Sequence, residues 1–271
     1  DQFSIGMRNK VGDWNTSATI SRINSYNGII GQLGNRYGNG DFYKGQNQWG
    51  SSGVPGIGAL ILFDNGKETR NNELLLSAER PYTKDSGWGA TIAYTYTDAK
   101  QNRLYTDGYA FDLPKITDYP FLTSSAAAKH RLVTTLSYDG PWGLLLAGKL
   151  TLATPLPTTD IACCNLFPNP VGAIAYPAVG LAPGKRFLFG GPIFGYRDID
   201  LQATKNFDLT RGMDLYLRFD ILNALNFKNY SSTINTWGID GVLNPNPVVY
   251  NKTGDIFGVP RTFKFTLGFR W

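Results

Sequence analysis

The last nine residues, Phe263-Lys-Phe-Thr-Leu-Gly-Phe-Arg-Trp271, carry a large apolar side chain at every second position. A period of two belongs to a β-strand, whose successive side chains point to opposite faces. Phe263, Phe265, Leu267, Phe269 and Trp271 share one face, and Lys264, Thr266, Gly268 and Arg270 share the other. Residues 214–221 repeat the pattern, with Leu215, Leu217, Phe219 and Ile221 against Asp214, Tyr216, Arg218 and Asp220. Residues 198–204 set Ile199, Leu201 and Ala203 against Asp198, Asp200, Gln202 and Thr204. Weaker alternation upstream predicts further strands, giving segments near 2–9, 13–23, 69–80, 87–98, 129–138, 142–153, 195–207, 212–223 and 261–271. Helical periodicity is scarce, so the fold class is all-β, antiparallel, with about nine strands.

The connections constrain the architecture further. Four are short, at residues 9–13, 81–86, 139–141 and 208–211; four are long, at 24–68, 99–128, 154–194 and 224–260. Short and long alternate strictly, so every long loop lies at one end. A half-solvated soluble sheet also alternates apolar and polar residues, but has no reason to segregate its loops. A transmembrane β-barrel does, with short periplasmic turns and long extracellular loops. Trp14, Trp88 and Trp142 each open a predicted strand after a short turn, and Trp271 closes the last strand on that same side. Together they form a predicted periplasmic aromatic rim, because indole sits well at the headgroup boundary. On this reading the apolar face meets lipid, while Asp214, Tyr216, Arg218, Asp220, Lys264 and Arg270 face the lumen.

An odd strand number does not close a bacterial single-chain barrel, which has an even count. At about 30 residues per strand, a 22-stranded barrel needs roughly 660 residues before any plug. Residues 1–271 are therefore expected to be part of a larger wall. The start, Asp-Gln-Phe-Ser, has no signal-peptide character, which fits a mature product or a fragment. No apolar run is long enough for a membrane-spanning helix. With 17% charged and 14% aromatic residues the chain is not of disordered type, and its net charge of +5 is too small and dispersed to indicate nucleic-acid binding.

Few residues invite chemistry. Cys163 and Cys164 are adjacent and lack zinc spacing. His130 is the only histidine, too few for a His-based metal site or a triad of its own. Gly180-Leu-Ala-Pro-Gly-Lys-Arg186 falls short of a phosphate loop by one residue and ends in Arg where Ser or Thr is needed. Asp198 and Asp200 are more simply wall ion-pair partners than an acid–base pair, with Arg197, Arg218 and Lys264 as candidate cations. No catalytic residue, cofactor or metal is expected. The long loops hold the ligand candidates: Tyr43 and Trp49 in the first, Tyr230 and Trp237 in the last. Aromatic and amide side chains offer stacking faces and hydrogen bonds to a siderophore, carbohydrate or peptide.

The C-terminal segments resemble a known family. Tyr196-Arg-Asp-Ile-Asp-Leu-Gln-Ala-Thr-Lys-Asn-Phe207, Leu215-Tyr-Leu-Arg-Phe-Asp-Ile-Leu-Asn-Ala-Leu-Asn-Phe227 with its Asn223 and Asn226, and Gly258-Val-Pro-Arg-Thr-Phe263 resemble the last strands of TonB-dependent outer-membrane receptors. Residues 71–81 and 87–97 resemble an earlier hairpin of receptors that carry a carboxypeptidase-regulatory-like domain before the plug. The resemblance implies energised uptake of a scarce ligand at the bacterial outer membrane. Coupling to the TonB complex would run through a plug and TonB box N-terminal to these strands. Trp271 resembles the aromatic last residue read by the barrel-assembly machinery, with Thr266 where the fuller signal has Gly. Two alternatives have different signatures: a complete small outer-membrane barrel serving as adhesin or surface enzyme, and a soluble carbohydrate-binding β-sandwich. The intact mass of the native polypeptide in isolated outer membranes separates the first two. The receptor reading expects a mass well above roughly 70 kDa, and a mass near 29.9 kDa would support the small barrel.

Overall fold

The computed structural model describes residues 1–39, 41–43, 60–102, 115–119, 121–124, 126–154, 158–161, 173–176, 196–209, 212–229 and 258–270. Among them the strands are β1 (Gln2–Val11), β2 (Trp14–Leu33), β3 (Ile61–Arg80), β4 (Trp88–Gln101), β5 (Leu122–Thr123), β6 (His130–Asp139), β7 (Leu144–Ala153), β8 (Thr158–Ile161), β9 (Ala173–Tyr176), β10 (Tyr196–Asp208), β11 (Asp214–Leu222) and β12 (Thr262–Arg270). Nine form one continuous antiparallel wall in the order β1-β2-β3-β4-β6-β7-β10-β11-β12. β5 extends β4 by a two-residue pairing, and β8 and β9 make a separate hairpin. Each wall strand pairs with its successor along the wall, so the chain winds up and down, and the four short connections share one end.

The register shows that the wall is sheared. One row of directly opposed residues runs Trp88–Tyr138–Leu146–Ala203–Phe219–Phe265. It starts at the short-turn end of β4 and finishes in the middle of β12. That drift means the strands are staggered, as closing a sheet into a barrel requires. The neighbouring row, Gly89–Ser137–Ala147–Gln202–Asp220–Lys264, lies on the opposite face and is polar or small throughout.

Burial is inverted relative to a water-soluble sheet. Phe265 is 80% exposed and Phe263, Leu267 and Phe269 are also exposed, whereas Asp220 is 6% exposed. Water-soluble domains hide the apolar side and wet the polar one. Here the polar face is the more covered one, and the apolar face stands bare as a surface fit for lipid. Among the described residues no second layer covers it.

The predicted strands near 13–23 and 69–80 are too short. β2 and β3 each run for 20 residues, so 24–33 and 61–68 are strand rather than loop. The alternation fades there because the pairing is irregular. Register shifts flank Gly28, Asn27 takes φ 58°, and Gly66 takes φ 138°. A bulge of this kind flips the faces, which erases a simple period of two. Trp142 does not open β7 either. Pro141–Gly143 forms a 3-10 turn with Trp142 at φ 59°, and the strand starts at Leu144.

A short segment of the β4–β6 connection folds back on the long hairpin. Ile116 and Tyr119 are buried, and Ile116 lies where a side chain on Gly66 would project. At the opposite end Gly89 lets the turn after β3 fold tightly, because a Cβ there would stand 2.5 Å from the Tyr82 backbone nitrogen. Gly148 has only ordinary contacts, the nearest at 3.6 Å. Gly89→Ala is therefore expected to destabilise the folded wall by about 1–3 kcal/mol, with Gly148→Ala much milder. Urea unfolding in detergent, followed by the gel-mobility shift of the folded form, measures the difference.

Candidate functional site

The inner wall of β6 to β12 is a ladder of opposite charges. Lys149 on β7 lies 3.5 Å from Asp200 on β10. Gln202 donates to one Asp220 oxygen at 2.7 Å, and Arg218 Nε donates to the other at 3.0 Å. Lys264 stands directly opposite Asp220, and Asp214 directly opposite Arg270. The Arg270 guanidinium lies 5.3 Å from the Tyr216 ring, which spreads over Gly268. Asp214, Tyr216, Arg218 and Asp220 on β11 lie in register with Arg270, Gly268, Thr266 and Lys264 on β12, on one face of the sheet. Asp220 is nearly covered, and its two hydrogen bonds satisfy a carboxylate that would otherwise be costly to shield from water.

The ladder also shows what the sequence could not supply. Asp200 pairs with Lys149, a residue 51 positions earlier, rather than with Arg218 or Lys264. Arg197 lies on the other face, with its guanidinium 4.7 Å from the Phe227 ring. Beside the Lys149–Asp200 pair is a shallow depression of about 310 Å³, lined by Thr135, Ser137, Lys149, Asp200, Gln202 and Asp220. A second, of about 590 Å³, lies nearer the short turns, between Arg8, Lys10, Asn15, Ser17, Ser77 and Glu79. Ser17 and Ser77 hydrogen-bond across it at 2.7 Å.

At the long-loop end, Tyr43 packs edge-on against Tyr37 with centroids 4.9 Å apart. Arg36 covers the Phe42 ring at 3.9 Å. The short strand bridge between Arg36 and Phe42 and the bond from Tyr43 N to Asn35 O at 3.1 Å hold this aromatic group together. Tyr37 remains half-exposed, so the pair offers a stacking surface. Trp49, Tyr230, Trp237, Trp271, Cys163 and Cys164 lie outside the described residues. His130 accepts or donates a 2.7 Å hydrogen bond with Tyr94 and sits beside Tyr96; no group of metal-ligating residues forms among the described residues.

At the short-turn end Trp14 and Trp88 meet edge-on, with centroids 6.2 Å apart. Arg80, which the sequence reading passed over, binds them into the wall. Its guanidinium lies 4.0 Å over the Trp88 ring, donates to the Trp88 carbonyl at 2.7 Å, and reaches Asp13 at 3.4 Å. A cation next to Pro81 and facing two tryptophans across turns was the available signal. Trp142 projects outward on its turn, and the Lys205 ammonium donates to its carbonyl. In the adjacent turn the Tyr82 hydroxyl donates to Asp139 at 2.8 Å, and this bond raises the phenol above its ordinary pKa, with slight desolvation and the carboxylate charge acting the same way.

No family model matches the sequence, and no curated protein matches it. Solved structures do. The outer membrane transporter YddB from Escherichia coli superposes with a TM-score of 0.61 at 15% identity, over 99% of this chain and 32% of that one. The fold is that of a segment of an outer-membrane transporter barrel. BauA, the ferric preacinetobactin receptor from Acinetobacter baumannii, aligns with a TM-score of 0.48 at 13% identity, over 99% of this chain and 28% of that one. The chain spans about a third of the length of the structures it matches. Within this segment Arg80→Ala should cost about 1–2 kcal/mol, since it removes a ring stack and a bond to a carbonyl. Arg80→Lys should recover only part of that, because an ammonium keeps the charge without the planar stack. Urea midpoints of the three proteins give the comparison.

Proposed function

We propose that this chain forms part of the wall, the lumen surface and the external loops of an outer-membrane receptor that binds a scarce ligand at the cell surface. Import would use TonB-coupled energy, delivered through a plug and TonB box N-terminal to the strands described here. The observation that carries the reading is the sheared nine-stranded wall, bare and apolar outside and charged inside, whose whole length fits a transporter barrel.

The wall fits a bilayer in its dimensions. On the outer face of β4 the apolar series Trp88, Ala90, Ile92, Tyr94 and Tyr96 ends at Asp98, ten residues on. A tilted transmembrane strand needs about 9–11 residues. The short turns then fall at the periplasmic rim, where Trp14, Trp88 and Trp142 meet the headgroups and Trp271 serves the barrel-assembly machinery. The long loops face outward, with Tyr43, Trp49, Tyr230 and Trp237 as the ligand-binding candidates. Partners are outer-membrane lipid, the TonB complex, and a siderophore, carbohydrate or peptide ligand.

Two substitutions on adjacent β11 positions test the assignment of faces. Phe219 stacks between Phe263 and Phe265, with centroids 6.0 and 4.6 Å away. Phe219→Lys places a charge in lipid and should cost about 2–4 kcal/mol, seen as a loss of folded barrel in the outer membrane. Arg218→Leu leaves the outer face intact but removes one partner of Asp220, so it should affect transport or stability with a smaller loss of barrel yield than Phe219→Lys. Equal yields for Phe219→Lys and wild type would overturn the lipid assignment. Uptake by the native polypeptide that persists in cells lacking TonB would overturn the energised-transport reading.

A further inference from the structure

The upper ends of β10, β11 and β12 are joined by side-chain amides rather than by more strand. Asn223, directly after β11, is 2% exposed and adopts φ 48°. Its side-chain nitrogen donates to Phe227 O at 2.9 Å and to Val259 O at 3.0 Å. Its side-chain oxygen accepts from Phe227 N at 2.8 Å. One amide therefore grips the ascending foot of the β11–β12 loop and its descending foot together. Asn226, at φ 52°, accepts from Arg261 N at 3.2 Å and adds a second tie to the descending side. Asn229, 4% exposed, accepts from Arg197 N at 2.9 Å and donates to Arg197 O at 2.8 Å, so its side chain acts as a strand partner for β10.

This cluster continues into the lumen. The backbone N–H of Asn223 donates to Asp200 Oδ1 at 3.0 Å, while Asp200 Oδ2 faces Lys149 at 3.5 Å. Ala224 N donates to Ile199 O at 2.7 Å. A carboxylate of the charged inner wall thus holds the residue that grips both loop feet. Left-handed backbone at a non-glycine position costs free energy and persists only when surroundings fix it, and Asn is the side chain that tolerates it best. Replacing the amide removes three bonds and leaves three backbone groups short of partners, Phe227 N–H, Phe227 C=O and Val259 C=O, so the loss falls on both feet at once.

We infer that Asn223 is the positioning residue of the β11–β12 connection and that Asp200 fastens it to the lumen wall, so that the two feet of that connection, Asn223–Asn229 and Gly258–Arg261, form a rigid base. A group that enters the lumen and competes for Asp200 would loosen that base. The use of this base in ligand capture rests on the transport reading; the anchoring itself does not.

Amide hydrogen exchange at single-residue resolution, on the native polypeptide in lipid nanodiscs, tests the anchor without a ligand. Asn223→Ala should speed exchange at Phe227 by about tenfold or more. Asn223→Asp keeps the acceptor and should keep Phe227 slow. Asp200→Ala should speed both Asn223 and Phe227, whereas Asp200→Asn retains an acceptor and should protect both. If Asn223→Ala does not fold, Asn226→Ala serves instead and should speed Arg261 while leaving Arg197 unchanged. An unchanged Phe227 in Asn223→Ala, an Asp variant as fast as the Ala variant, or equal acceleration along β6 and β7 would overturn the positioning role. Acceleration of Asn223 alone in Asp200→Ala would overturn the link to the lumen. Slow feet in a protein that imports nothing would instead count against transport and leave the anchor standing.

Discussion

A polypeptide that crosses lipid must satisfy every backbone N–H and C=O from within, because hydrocarbon offers no partner. That constraint organises this wall. Each interior strand, from β2 to β11, is hydrogen-bonded to a neighbour on both sides over part of its length. With the backbone paired, side chains are free to follow the two solvents on either face. Phe219, Phe263 and Phe265 can gather outside, and Lys149, Asp200, Asp220 and Arg218 can gather inside, only because the same ladder holds both sets in register. A slip of one residue would exchange the faces and put the charges in lipid.

The inner wall follows a second rule, that charges in a crowded space need partners. Asp220 accepts from Gln202 on β10 and from Arg218 on its own strand. With the Lys149–Asp200 pair, these bonds tie β7, β10 and β11 together through side chains. The net stabilisation from such pairs is small, since desolvation offsets most of the attraction. Their greater consequence is geometric. They keep polar groups directed inward and give the lumen a defined pattern of donors and acceptors.

How much of this was legible in the sequence depended on how regular each strand is. β10, β11 and β12 lie within two residues of their predicted ends because their alternation is unbroken. β2 and β3 were cut short because Asn27, Gly28 and Gly66 break the register that alternation relies on. The shared face of Asp214, Tyr216, Arg218 and Asp220 follows from the period of two alone. The partners do not. Lys149 reaches Asp200, and Arg80 reaches Asp13, through pairings between strands far apart in the chain. The clamp at Asn223 combines both cases. Its tight turn is visible as Asn-x-x-Asn, but its contact with Val259 spans 36 residues.

The two margins of the sheet bring the argument back to the backbone. β1 and β12 pair on one side only among the described strands, and they do not pair with each other. A free edge of this length invites association in water and carries unmet hydrogen bonds in lipid. The row from Trp88 to Phe265 drifts steadily across the wall, which is the stagger a wide barrel needs rather than the flatness of an independent sheet. Shear, bare margins and the one-third coverage of the matched transporter all place these nine strands as an arc. On that view the edges are joints to the rest of a wall, and the polar ladder is one side of a lumen whose opposite side lies beyond the arc.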